Sequence, residues 1–263
     1  MAITALRMNR RLYAGLGRAL VLLVLLTALT ACANHALLRE KADSHMNVGT
    51  AYLGSGQFNA ALKEFLEAQK LLPDDPKVHY LLGISYHGKG LDQRAIAEFQ
   101  RAIALKPDDS EVHNYLGVIY LDQGRWDEAI ASFNRALTNI LYDTPAATHY
   151  NLGRAYYEKG QYDLALRHGR LAAETQSVLM PLIEKNMGMV WLAKGDPEEA
   201  ASHLKRSLEL APSLVESHYW LGFCYEKLGR VREAAEAFGM AAKFSPESDF
   251  GRKAKERLKG LHP

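Results

Sequence analysis

A period of about 34 residues governs most of this chain. Gly49, Gly83, Gly117, Gly153, Gly188 and Gly222 follow one another at spacings of 34, 34, 36, 35 and 34. A second glycine stands seven residues after each, at Gly56, Gly90, Gly124, Gly160, Gly195 and Gly229, and an alanine keeps the same phase at Ala61, Ala95, Ala129, Ala165, Ala200 and Ala234. Three residue types in step over six cycles define copies of one small unit. Such a unit cannot bury its apolar face alone, so copies must stack, each touching only its neighbours.

Each recurring type has a physical reason. The first glycine falls inside a helical pattern, where it costs about 1 kcal/mol relative to alanine; it is tolerable where two helices approach closely. The second ends that helix, at a left-handed turn where a side chain would clash. The alanine sits in the second helix and keeps the contact short. Tyr52, Tyr86, Tyr120, Tyr156, Trp191 and Tyr225 fill the space between helices, and Phe65, Phe99, Phe133 and Phe238 do so from the second helix. Pro73, Pro107, Pro212 and Pro246 close their repeats, because proline cannot continue a helix.

This order of aromatic, small and proline positions resembles the tetratricopeptide repeat. The expected fold is all-α: a solenoid of six repeats (42–75, 76–109, 110–143, 146–179, 181–214 and 215–248), wound, as the resemblance implies, into a right-handed superhelix. Residues 249–263, charged and compatible with a helix, are expected to cap it. Repeats four and five depart from the pattern. Gly169 stands where a large apolar residue is expected, and Leu204 fills that place in repeat five. Repeat three lacks its closing proline and carries Asn139-Ile140-Leu141-Tyr142-Asp143-Thr144-Pro145 instead.

The first 32 residues read as an address. Arg10 and Arg11 precede an apolar run, Ala19 to Leu29, shorter than the roughly 20 residues of a membrane span. Met8, just before the basic residues, is an alternative start. Leu29-Thr30-Ala31-Cys32 resembles the lipobox of bacterial lipoproteins, which implies cleavage of 1–31 and lipidation of Cys32, with 32–41 as a linker; an ordinary signal with a chance cysteine is the alternative. Several acyl chains, at about 0.8 kcal/mol per buried methylene, anchor a soluble domain firmly. Ala33, not Asp, stands directly after Cys32, which by the same resemblance implies the outer membrane. The formal net charge is +2. Subtracting the four arginines of 1–31, Arg7, Arg10, Arg11 and Arg18, leaves −2, and such a chain has no electrostatic reason to bind nucleic acid.

Little in the sequence suggests catalysis. Cys32 and Cys224 are the two cysteines, and no structural disulfide is expected. His45, His79, His113, His149 and His218 recur at one position. Equivalent positions lie a helix pair apart, with each helix about 10 Å across, so they cannot share a metal ion at about 2 Å. They are expected to pack between helices. Acids such as Asp127 and Glu128, or Glu198 and Glu199, suit helix N-termini. Nucleophile-elbow and phosphate-loop motifs are missing. We expect no enzyme, no metal and no cofactor beyond the lipid on Cys32.

In tetratricopeptide arrays the first helices line a concave face. That resemblance implies partner contacts from Met46, Tyr80, Ile84, Asn114, Val118, Tyr150, Arg154, Tyr157, Lys185, Met189, Tyr219 and Phe223. The set is mostly apolar and aromatic, suited to an amphipathic helix or an extended apolar segment. The lipobox, the six repeats and the Leu141-Tyr142…Pro145 segment before Asn151-Leu152-Gly153 together resemble the type IV pilus biogenesis and stability lipoproteins, the pilotins of secretins. That resemblance implies a non-enzymatic protein facing the periplasm from the outer membrane. It would bind secretin subunits and escort them to the membrane where they multimerise. An adaptor for exopolysaccharide or cell-wall synthesis is the alternative.

Overall fold

The computed structural model describes residues 33–175 and 178–261. The expected signal segment and Cys32 lie outside them. Thirteen helices and no strand occur among the described residues, an all-α tetratricopeptide solenoid as the periodicity requires. A division between Pro107 and Asp108 separates two compact units.

The first unit holds α1 (33–54), α2 (Phe58–Leu71), α3 (Pro76–Gly88) and α4 (Asp92–Leu105). Residues 33–41, read from sequence as a linker, form the first turns of α1, and Arg39 on them reaches the Asp75 carboxylate at 2.7 Å. The second unit holds α5 (Ser110–Asp122), α6 (Trp126–Ala136), α7 (Pro145–Glu158), α8 (Tyr162–Ala173), α9 (Met180–Lys194), α10 (Pro197–Leu210), α11 (Val215–Lys227), α12 (Val231–Phe244) and α13 (Asp249–Gly260).

Helices pair in sequence order, α1 with α2 through α11 with α12. The second helix of each pair buries a narrow stripe at helical spacing: Ala61, Leu62, Phe65 and Ala68 in α2, and Ala95, Ile96, Phe99 and Ala102 in α4. The other face is polar, which is why these helices are strongly amphipathic. First helices are sandwiched between neighbours and are apolar on more sides; α5 buries Val112, Leu116, Ile119, Tyr120 and Leu121.

Local chemistry sets the boundaries. The Asp75 side chain accepts from the amides of Lys77 at 2.8 Å and Val78 at 3.3 Å, and Pro76 starts α3. Asp196 caps α10 through the Glu199 amide at 3.0 Å, and Pro197 begins it. These are the residues that satisfy or dispense with orphan N–H groups in a first turn. Between paired helices the chain turns at the second glycine series; φ is 70° at Gly56 and 86° at Gly195, a left-handed geometry open to a residue without Cβ.

Salt links repeat with the same period. Arg101 reaches Asp74 at 2.6 Å, and one period on Arg135 reaches Asp108 at 3.0 Å. Lys159 bonds Asp127, and Lys194 bonds Asp163, tying the end of a first helix to the start of the preceding second helix. These pairs are largely exposed, so each contributes about 0–1 kcal/mol. They fix register more than stability.

Helix α13 closes the second unit. Gly251 and Ala254 are its buried residues. A Cβ on Gly251 would overlap the carbonyl oxygen of Ser245, so glycine lets the helix seat. Phe250 packs on Tyr219 and Trp220, with ring centroids 5.3 and 6.2 Å apart.

Candidate functional site

The repeats share one internal joint. A Cβ placed on Gly83 would stand 2.6 Å from the Phe99 ring, on Gly117 2.5 Å from Phe133, and on Gly222 2.8 Å from Phe238. Each phenylalanine is fully buried. The first glycine therefore makes room for a ring inserted between the two helices. The helices of a repeat are held apart by one aromatic side chain, whose burial contributes about 1.5–3 kcal/mol. Repeat five is a variant, with Leu204 2.8 Å from a Cβ built on Gly188.

Repeat four has no such ring. Gly153 faces Gly169, and a Cβ on Gly153 would meet only the carbonyl of Ala165 at 3.3 Å and the amide of Gly169 at 3.7 Å. Met187 of α9 reaches in from the next repeat, its Cγ 2.9 Å from a Cβ built on Gly169. What remains is a cleft of about 490 Å³ that runs from the exposed face of α7 down to Gly153, Ala165 and Gly169. A second cleft of about 430 Å³ adjoins it, sharing Tyr157, Met189 and Trp220 as walls. Together they form one groove across the first helices α7, α9 and α11.

Six of the twelve residues expected from sequence line this groove: Tyr150, Arg154, Tyr157, Lys185, Met189 and Phe223. Arg154 lies 6.0 Å from the Tyr150 ring centroid and 3.8 Å from the Asp122 carboxylate. Burial raises the Tyr157 hydroxyl above its ordinary pKa, helped by Glu158 and Tyr162. Lys185 is buried and bonded to Glu216, so its charge is already matched.

Other expected residues are corrected by their surroundings. Met46 is 1% exposed inside the core of the first unit and presents nothing to a partner. Tyr219 is buried under Phe250 and against Phe238, because α13 covers it. Asn114 is buried, its side-chain oxygen accepting from the Thr148 hydroxyl at 3.0 Å. Tyr80, Ile84 and Val118 are half-buried outside this groove. Sequence reasoning missed Trp220 and Phe250, which replace Tyr219 as the aromatic wall. It singled out Gly169, and that glycine is the signal that locates the cleft.

Three of the recurring histidines prove to be half of a side-chain pair within their repeat, whereas His218 bonds the Pro212 carbonyl at 2.8 Å and stacks on Phe244. His45 Nδ1 lies 2.7 Å from Glu64, and His79 Nδ1 2.7 Å from Glu98. Repeat five reverses the pair, with His203 2.6 Å from Glu184. Repeat four replaces the acid: His149 Nδ1 meets His168 Nδ1 at 3.0 Å, and His168 stacks on Tyr156. Burial, then His149 and Arg167, push the His168 imidazole down to about 4, and burial lowers His149 too. No group of three or more His, Cys, Asp or Glu among the described residues is placed to hold a metal ion. Burial pushes the Cys224 thiol up to about 12, which removes it as a nucleophile at neutral pH.

The chain belongs to the tetratricopeptide repeat proteins, matching that family over residues 48–110, 108–176 and 192–256. Its fold is similar to the crystal structure of PilW, a widely conserved type IV pilus biogenesis factor, with a TM-score of 0.75 and 20% identity, covering 81% of this chain and 98% of that one. It is also similar to PilF of Pseudomonas aeruginosa, with a TM-score of 0.73 and 17% identity, covering 84% and 99%. At these identities the likeness is one of fold. A curated relative, the photosystem I assembly protein Ycf3 of Acaryochloris marina, is 33% identical over 112 residues, 41% of this chain and 68% of that protein.

Proposed function

We propose that this protein is a lipid-anchored pilotin: it holds a secretin subunit in the groove of α7, α9 and α11, and its lipid carries that subunit to the bacterial outer membrane. The observation that carries the reading is a continuous, mostly apolar groove on a repeat fold shared, over most of this chain and nearly all of theirs, with two pilus biogenesis proteins. The lipobox at Cys32 supports the anchoring half. No helix among the described residues is long and apolar enough to cross a membrane, and acylation at Cys32 supplies the attachment. The protein performs no chemistry in this role. Its work is to couple affinity for a partner at one site to affinity for the bilayer at another.

The test is secretin assembly in a deletion strain, read as detergent-resistant multimers on a gel and complemented with wild type or Cys32→Ser. Loss of multimers, restored at the outer membrane by wild type alone, is the expected result. Normal multimers without this protein exclude the escort role. The groove would then serve another envelope assembly, and co-purification with a polysaccharide or cell-wall synthase would identify it.

A further inference from the structure

We propose that the cleft of repeat four is a socket for a single phenylalanine side chain carried by the protein partner. The inference rests on reading the groove of α7, α9 and α11 as the partner-binding face, and it names what that partner inserts. The template lies in the molecule itself. Repeats one, two, three and six each bury a phenylalanine at the position of Gly169, and each seats it against the glycine of its first helix. Repeat four keeps that glycine, Gly153, and keeps Ala165, the alanine beside it, but supplies no ring.

The frame that holds phenylalanine elsewhere is thus present and open to the groove. The cleft's volume of about 490 Å³ falls within the roughly 300–1,000 Å³ of pockets that bury ligands. Its floor is Gly153, Ala165 and Gly169, and its walls include Ile183, Met187 and Val190. That lining is mostly apolar, and its charged members are Arg154, Glu158 and the paired Lys185 and Glu216. Met187, an unbranched side chain able to change rotamer, reaches over Gly169 and must swing aside as a ring enters. Leucine is the natural competitor, because repeat five fills the same position with Leu204.

The probe is N-acetyl-para-fluorophenylalanine amide, followed by fluorine NMR on the exported chain carrying Cys32→Ser. Saturable broadening is expected, displaced several-fold better by N-acetyl-phenylalanine amide than by N-acetyl-leucine amide. Gly169→Phe, which restores the repeat pattern and fills the socket, is expected to weaken probe binding at least about tenfold, the equivalent of one buried side chain. Should Gly169→Phe lose helicity, Gly169→Leu decides the matter, since repeat five already carries leucine over glycine. Failure of the wild-type chain to bind the probe saturably overturns the proposal. So does equal displacement by the two amides, or a folded Gly169 variant that binds like wild type. The escort role is scored on a different readout. Gly169→Phe that supports full secretin multimers overturns the socket and leaves the escort standing, whereas multimers that form in the deletion strain overturn the escort.

Discussion

At the scale of residues, the informative positions are those where a repeat breaks its own rule. The His–Glu pair of repeats one and two becomes His149–His168 in repeat four, two rings that cannot both carry a proton at 3.0 Å. His168 is pushed down to about 4 from an ordinary 6.5, so the unfolded chain takes up the proton first as the solution acidifies. Stability from this pair is present above about pH 6.5 and is lost as the pH falls toward 4. Urea midpoints measured at intervals between pH 7 and pH 4 should show that loss. Glutamate at 168 restores the pairing of the earlier repeats, and His168→Glu should remove most of that loss, so that the variant's midpoint falls less than the wild type's. A wild-type midpoint that tracks the variant across the window would show that burial and His149 do not hold the His168 imidazole below its ordinary range in the folded chain. The periodicity made these histidines visible, but it suggested ring packing. The partners of His45, His79 and His149 lie nineteen residues away on the second helix, a contact that only the pairing of helices brings together.

At the scale of elements, the sequence was legible wherever a residue had a single role. The glycine, alanine and phenylalanine columns mark which faces meet, so the helices and their pairing followed from spacing. The groove was only half legible, because one position can face a partner in one repeat and a neighbouring helix in another. Tyr219 shows the difference: it occupies a groove position by alignment, yet α13 buries it. Tyr219→Ala should therefore lower unfolding free energy by about 3–5 kcal/mol, as for other large aromatic truncations in cores, whereas Tyr150→Ala, half-buried in the groove, should cost clearly less by the same denaturation measurement. Seating of α13 depends in turn on the close approach at Gly251. Gly251→Ala should destabilise the second unit by about 1–3 kcal/mol through overpacking and speed hydrogen exchange across residues 249–260. Exchange unchanged from wild type would mean that the backbone absorbs the added methyl.

At the scale of the whole molecule, function depends on joining the repeats to a surface. Cys32→Ser should give a folded protein with wild-type helicity that fractionates as soluble; firm retention in membranes would exclude lipid at Cys32 as the anchor. The helical start of α1 then has a consequence of its own. Residues 33–41 as helix reach about 14 Å, where the same nine residues fully extended would reach about 30 Å. A lipid at Cys32 would hold the first repeat on a short stiff stalk rather than a slack leash. A stalk keeps local concentration high for partners travelling in the plane of the bilayer and gives little access to those dissolved at a distance. Lengthening it with a flexible glycine-serine insert after Ala33, at the very start of α1, should leave folding and anchoring intact while weakening the capture of membrane-proximal partners, which a length series of inserts would read as a graded loss. The fold would thereby ration its search to a thin layer against the membrane.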